Sequence, residues 1–104
     1  MAFDGTEGTV ITLATASDWT ENYRDVKASG DPNGQFYGKS KITDILDQED
    51  CVGIRIYYAI NGDDEKVLVL VGAKANEDDI DDGDIVEMGT KCPPRCGRNN
   101  DLNS

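Results

Sequence analysis

Val52-Gly53-Ile54-Arg55-Ile56-Tyr57-Tyr58-Ala59-Ile60 is the stretch that decides the fold of this chain. Its apolar residues recur at every second position. Val52, Ile54, Ile56, Tyr58 and Ile60 therefore share one face of an extended strand, and Gly53, Arg55, Tyr57 and Ala59 share the other. Asn61-Gly62 opens a loop that runs to Glu65, and Lys66-Val67-Leu68-Val69-Leu70-Val71-Gly72 follows it. Two β-rich runs around a short polar loop read as a hairpin. The second run is apolar on both faces, which predicts a central strand. A two-stranded hairpin is marginal in water, so a third strand is required. Residues 9–13 and 84–88 are the two candidates.

Before the hairpin the period lengthens. Leu13, Ala16, Trp19, Tyr23 and Val26 recur at three- and four-residue steps and share one helical face. Thr12 is placed to cap that helix, because its hydroxyl can accept from an otherwise unpaired first-turn amide. Ser29-Gly30 ends it, and Asp31-Pro32-Asn33-Gly34 reads as a turn. A second, shorter helix is predicted over residues 39–48, with Ile42, Ile45 and Leu46 as its buried stripe. Phe36 is expected to pack back onto Trp19. The predicted fold is α+β: two N-terminal helices on one face of a small antiparallel sheet built on the central hairpin. Residues 1–104 read as one small domain with an irregular start (1–9) and a cysteine-bearing tail (91–104).

Charge narrows the partners. Lys and Arg total 10 and Asp and Glu total 21, a formal net charge of −11. Glu77, Asp78, Asp79, Asp81, Asp82, Asp84 and Glu87 crowd into residues 76–87, with no base among them. Such a balance argues against nucleic acid, whose binding rests on cationic contacts to phosphate. It argues equally against anionic membrane surfaces. No basic start followed by an apolar core is present, and no apolar run approaches membrane-spanning length, so a cytoplasmic location is expected. Three cysteines, an odd number, fit a reducing compartment.

The tail Cys92-Pro93-Pro94-Arg95-Cys96-Gly97 is the one local grouping with specific chemistry. Cys92 and Cys96 have three readings: zinc ligands, a disulfide, or two free thiols. A disulfide requires a sharp turn at Pro94-Arg95 to bring the Cα atoms within bridging range. Structural zinc usually takes four thiolate or imidazole ligands. This chain has no histidine, so a zinc site would need carboxylates or a second subunit. Cys51, next to an apolar strand, reads as a small buried hydrophobe. The acidic run invites a calcium reading through Asp78, Asp82 and Asp84. Aligned on Gly83 as the glycine of an EF-hand loop, however, it puts Ile80 at a ligand position and Gly89 where the terminal glutamate belongs. The plain alternative is a solvated acidic loop. Gly5, Gly8, Gly30 and Gly34 do not sit between a strand and a helix as a phosphate loop requires.

Trp19-Thr20-x-Asn22-Tyr23-Arg24, Phe36-x-Gly38-Lys39, Gly53-Ile54-Arg55-Ile56-Tyr57-Tyr58, Leu68-Val69-Leu70-Val71-Gly72 and Cys92-Pro93-Pro94-x-Cys96-Gly97 together resemble a family of short, uncharacterised bacterial proteins. The resemblance runs from about Glu7 onward and implies no activity. It does imply that the Cys-Pro-Pro-x-Cys-Gly end is a standing feature.

Without histidine, a nucleophilic Ser or Cys lacks its commonest base, and the acids lie mostly in polar loops. The chain is therefore expected to be no enzyme. The expected role is protein binding or assembly, with self-association through a sheet face that includes Arg55, Tyr57, Leu68 and Leu70. The plain reading of Arg55 is a side chain lying over Tyr57 and paired with an acid. The competing class is a protein that binds zinc or calcium through the thiols or the acidic loop; no other cofactor is implied.

Overall fold

The computed structural model describes residues 2–103. The chain is α+β and divides into two compact units, Met1–Gly8 with Tyr37–Gly89, and Thr9–Phe36 with Thr90–Ser104.

The first unit is built on the hairpin. Strand β2 (Cys51–Ile60) pairs antiparallel with β3 (Lys66–Lys74), and β3 pairs in turn with the short β4 (Ile85–Val86). The doubly apolar strand is central, as its sequence predicts, and the third strand comes from the later of the two candidates. Residues 9–13 form no strand. The register is regular from Ile54↔Gly72 through Ile56↔Leu70 and Tyr58↔Leu68 to Ile60↔Lys66, with an irregularity between Cys51 and Gly53. Helix α2 (Lys39–Leu46) ends close to where the sequence places its end and lies against β2 and β3. Its Ile45 is fully buried, while Leu46 is exposed. Val67, Leu70, Val71, Ala73 and Ile80 complete the buried apolar core. Gly72 is closely packed: a Cβ there would lie 3.0 Å from both Cys51 Sγ and Gln48 Nε2, so those side chains would have to give way. Gly89 is held more strictly, since the Tyr37 ring lies 2.6 Å from the position its Cβ would take.

The second unit holds helix α1 (Leu13–Val26) and a two-stranded antiparallel sheet of β1 (Gly34–Phe36) and β5 (Thr90–Cys92). Thr12 caps α1 as expected: its Oγ1 accepts from Thr15 N–H at 3.1 Å. The helix stops at Lys27, which turns extended while its N–H still donates to Tyr23 O. Arg24 sits in the last turn, where a cation complements the helix dipole.

Two expectations are corrected here. There are two sheets instead of one, because residues 34–36 pair with the cysteine-bearing tail rather than merely leading into α2. The α1 stripe also does not anchor a core: no residue of α1 is buried, Trp19 is 60% exposed and Phe36 is 67% exposed. A helical period shows which residues share a face; it does not show what covers that face.

Candidate functional site

Three places in the molecule carry chemistry or surface out of the ordinary. The first is a side-chain cluster on the Arg55 face of the three-stranded sheet. Register puts Arg55 opposite Val71 and Tyr57 opposite Val69. The chain after β3 turns back, with Asn76 Oδ1 accepting from Asp78 N–H and Lys74 N–H donating to Asp78 O. This brings Asp79 into a bridge with Ala73. Arg55 Nη1 then donates to Asp79 Oδ1 at 2.6 Å and to Glu77 O at 3.1 Å. The Tyr57 hydroxyl donates to Asp79 Oδ2 at 2.5 Å. Both carboxylate oxygens of Asp79 are thus occupied. The Tyr57 hydroxyl bond first, and the Arg55 bonds after it, hold the Asp79 carboxyl below its usual range. The same contact with Asp79 raises the Arg55 guanidinium.

Arg55 is therefore paired with an acid, as its plain reading holds. The ring it covers is Phe3, at 5.3 Å, and not Tyr57. Leu68 and Leu70, expected on the same face, pair opposite Tyr58 and Ile56 and so lie on the other side of the sheet, Leu68 half-buried and Leu70 4% exposed.

The second place is the tail. Cys92 and Cys96 are joined as a disulfide with Cα atoms 4.7 Å apart, inside the bridging range. The Cys92–Pro93 and Pro93–Pro94 peptide bonds are both cis. The bridge closes the end of β5. Arg95 N–H donates to Lys91 O, and Asn33 N–H donates to Cys92 O at 2.6 Å. Further along, Asn103 Nδ2 donates to Cys96 O and Arg24 Nη1 donates to Leu102 O. The tail thereby runs from β5 back to α1 within its unit. In the bridged state neither sulfur is a thiolate, so neither offers the ligand that zinc takes. Cys51 is free and half-buried, and its thiol donates to Gly53 O. Among the described residues no group of three or more Cys, Asp or Glu is gathered to hold a metal. Asp78 and Asp84 instead serve the loop, the latter through its N–H to Gln48 Oε1.

The acidic run hides one anchor that charge counting overlooks. Ile80 is 7% exposed, and its N–H donates to Gly72 O at 2.8 Å. The signal lies in the sequence: Ile80 is the sole apolar residue between Asn76 and Gly83. A lone aliphatic among acids marks where such a loop is pinned.

The third place is the outer edge of β2. This ten-residue strand is paired on one side only. Its far half is exposed: Ile56 at 52%, Tyr58 at 93% and Ile60 at 68%. The opposite margin of the sheet is treated differently. There β4 covers Leu70 and Val71, and the Tyr37 hydroxyl donates to Leu68 O at 2.5 Å. Burial first, and the charge of Glu87 second, push the Tyr37 phenol above its usual value, which keeps it a donor.

The chain matches no family model, no curated protein and no solved structure.

Proposed function

We propose that this chain is a non-enzymatic, acidic assembly module that works by binding protein, in the first place another copy of itself. The observation that carries the reading is β2. Long, apolar edge strands are normally blunted with charges, prolines or covering segments, because their free backbone groups are a template for another chain. From Ile54 to Ile60 the one charged side chain is Arg55, and Asp79 already holds it. The stripe of α1 supports the same reading, with Leu13 58% and Val26 80% exposed beside Trp19. Large apolar side chains left exposed in this way are what interaction sites in folded proteins are made of.

A non-catalytic role is supported by where the perturbed groups are spent. Asp79 and Arg55 hold each other, Tyr37 serves a main-chain carbonyl, and Asp4 is lowered by its bonds from Thr6. Perturbed groups committed to structural bonds are poor candidates for proton transfer. The charge of −11 supports a protein partner over nucleic acid or membrane. Among the described residues no helix is long and apolar enough to cross a membrane. Kinship with the short bacterial proteins that the motifs resemble belongs to the same proposal. The Cys92–Cys96 bridge counts against the reducing, cytoplasmic location expected from the odd cysteine number, because disulfides persist mainly in oxidising compartments.

Native mass spectrometry of protein purified without chelator or reductant tests the reading. Multimers that persist at micromolar concentration are the expected result. A bare monomer at every concentration would sink it, and a monomer carrying stoichiometric metal would favour the metal-binding class instead.

A further inference from the structure

The direction of each backbone group in β2 can be read from its neighbours. The Leu68 carbonyl is taken by Tyr37 and the Gly72 carbonyl by Ile80 N–H, and Leu70 lies between them in the same phase of the strand. All three therefore point their main-chain groups away from β2. In an antiparallel ladder, residues opposite each other either both exchange hydrogen bonds or both face outward. Tyr58, Ile56 and Ile54 lie opposite Leu68, Leu70 and Gly72, and Ile60 follows in the same phase. Their N–H and C=O groups accordingly face outward along the free edge of β2.

The start of that edge is closed. The irregularity between Cys51 and Gly53 twists the strand there, and Gly5 of the N-terminal segment lies against it, its Cβ position 3.1 Å from Val52 O. The open part is therefore the stretch from Ile54 to Ile60.

We propose that this edge is completed by β2 of a second copy, antiparallel, about a two-fold axis at Tyr58, giving one continuous six-stranded sheet. The proposal rests on the assembly reading above and names its contact. In this register Tyr58 meets Tyr58 of the other copy, Ile56 meets Ile60, Tyr57 meets Ala59 and Arg55 meets Asn61. Ile56, Tyr58 and Ile60 each present outward donors and acceptors to partners in the same phase. Aromatic and β-branched pairs across an antiparallel ladder are favourable ones.

Charge rules out the register one step toward the start of the strand. The chain is strongly acidic as a whole, so a second copy is repelled unless the contact keeps acids apart. A two-fold at Tyr57 would set Asp64 opposite Asp50 and Glu65 opposite Glu49. A two-fold at Tyr58 sets Asp63 and Asp64 opposite Gly53 and Val52 instead, with Arg55 at Asn61 beside those same acids. The strand that meets itself carries no acid.

The test uses the full chain and two substitutions at Tyr58, whose exposure of 93% makes both tolerable to the fold. Tyr58→Lys brings two ammonium groups face to face at the axis. It should weaken the dimer at least ~10-fold, about 1.4 kcal/mol, in sedimentation velocity. Tyr58→Cys, in a Cys51→Ala background, should form an interchain disulfide on mild oxidation, because residues facing each other on the axis lie within bridging range. Tyr57→Cys in that background should not. Near-ultraviolet circular dichroism confirms that each variant is folded. If the chain is a dimer that Tyr58→Lys leaves intact and Tyr58→Cys does not link, the edge contact is wrong while the assembly reading stands on another surface. If the unmodified chain is monomeric throughout, both are wrong.

Discussion

Asp79 is the residue on which the Arg55 face turns. Its carboxylate takes one bond from Tyr57 and another from Arg55, and its pKa is lowered in the fold. A lowered carboxylate contributes stability that is present above the ordinary aspartate range and is lost as pH falls through the folded value. Asp79→Asn should therefore melt below the parent at neutral pH, and the two melting temperatures should converge as the solution is acidified. A gap that stays constant down to low pH would show that the cluster is not linked to protonation. Trp19 carries the opposite lesson. A tryptophan on a helical stripe invites the role of core anchor, yet it is 60% exposed. Trp19→Ala should cost less than about 1 kcal/mol in denaturant unfolding, against the roughly 3–5 kcal/mol of a buried aromatic truncation. A larger loss would mean that α1 is covered in solution.

At the level of elements, period and turn chemistry were legible and partners were not. The alternation in residues 52–60, the doubly apolar run after it and the Thr12 cap predict β2, β3 and the start of α1 from local physics. Strands β1 and β5 are not foreseeable in that way. Gly34-Gln35-Phe36 and Thr90-Lys91-Cys92 are too short to show a period, and they pair across more than half the chain. Asp79 is similarly hidden, since nothing in an acidic run distinguishes the one carboxylate that meets Arg55. The disulfide holds the end of β5, in a unit without a buried residue among those described. By the chain-entropy estimate, a bridge over so short a loop contributes about 2 kcal/mol. Reduction should speed hydrogen exchange at the Asn33 and Arg95 amides by about 30-fold, the same energy read as a rate. The Ile80 amide, bonded to Gly72 O, serves as the internal reference. Equal change at all three amides would show that the bridge does not act locally.

The whole molecule is explained by an imbalance between its apolar residues and its core. Among the described residues the buried apolar ones all lie in the hairpin unit, while Trp19, Val26, Phe36, Ile56, Tyr58 and Ile60 are left facing water. An isolated chain so arranged is stabilised by a small core and carries surface that a partner can bury. Hydrogen exchange of individual amides at low and high protein concentration tests the central claim, assembly through the edge of β2, most directly. The amides of Arg55, Tyr57 and Ala59 face β3 and should be protected at any concentration. Those of Ile56, Tyr58 and Ile60 face outward and should exchange fast when dilute and slow when concentrated. Fast exchange at these three amides at every concentration would contradict the account.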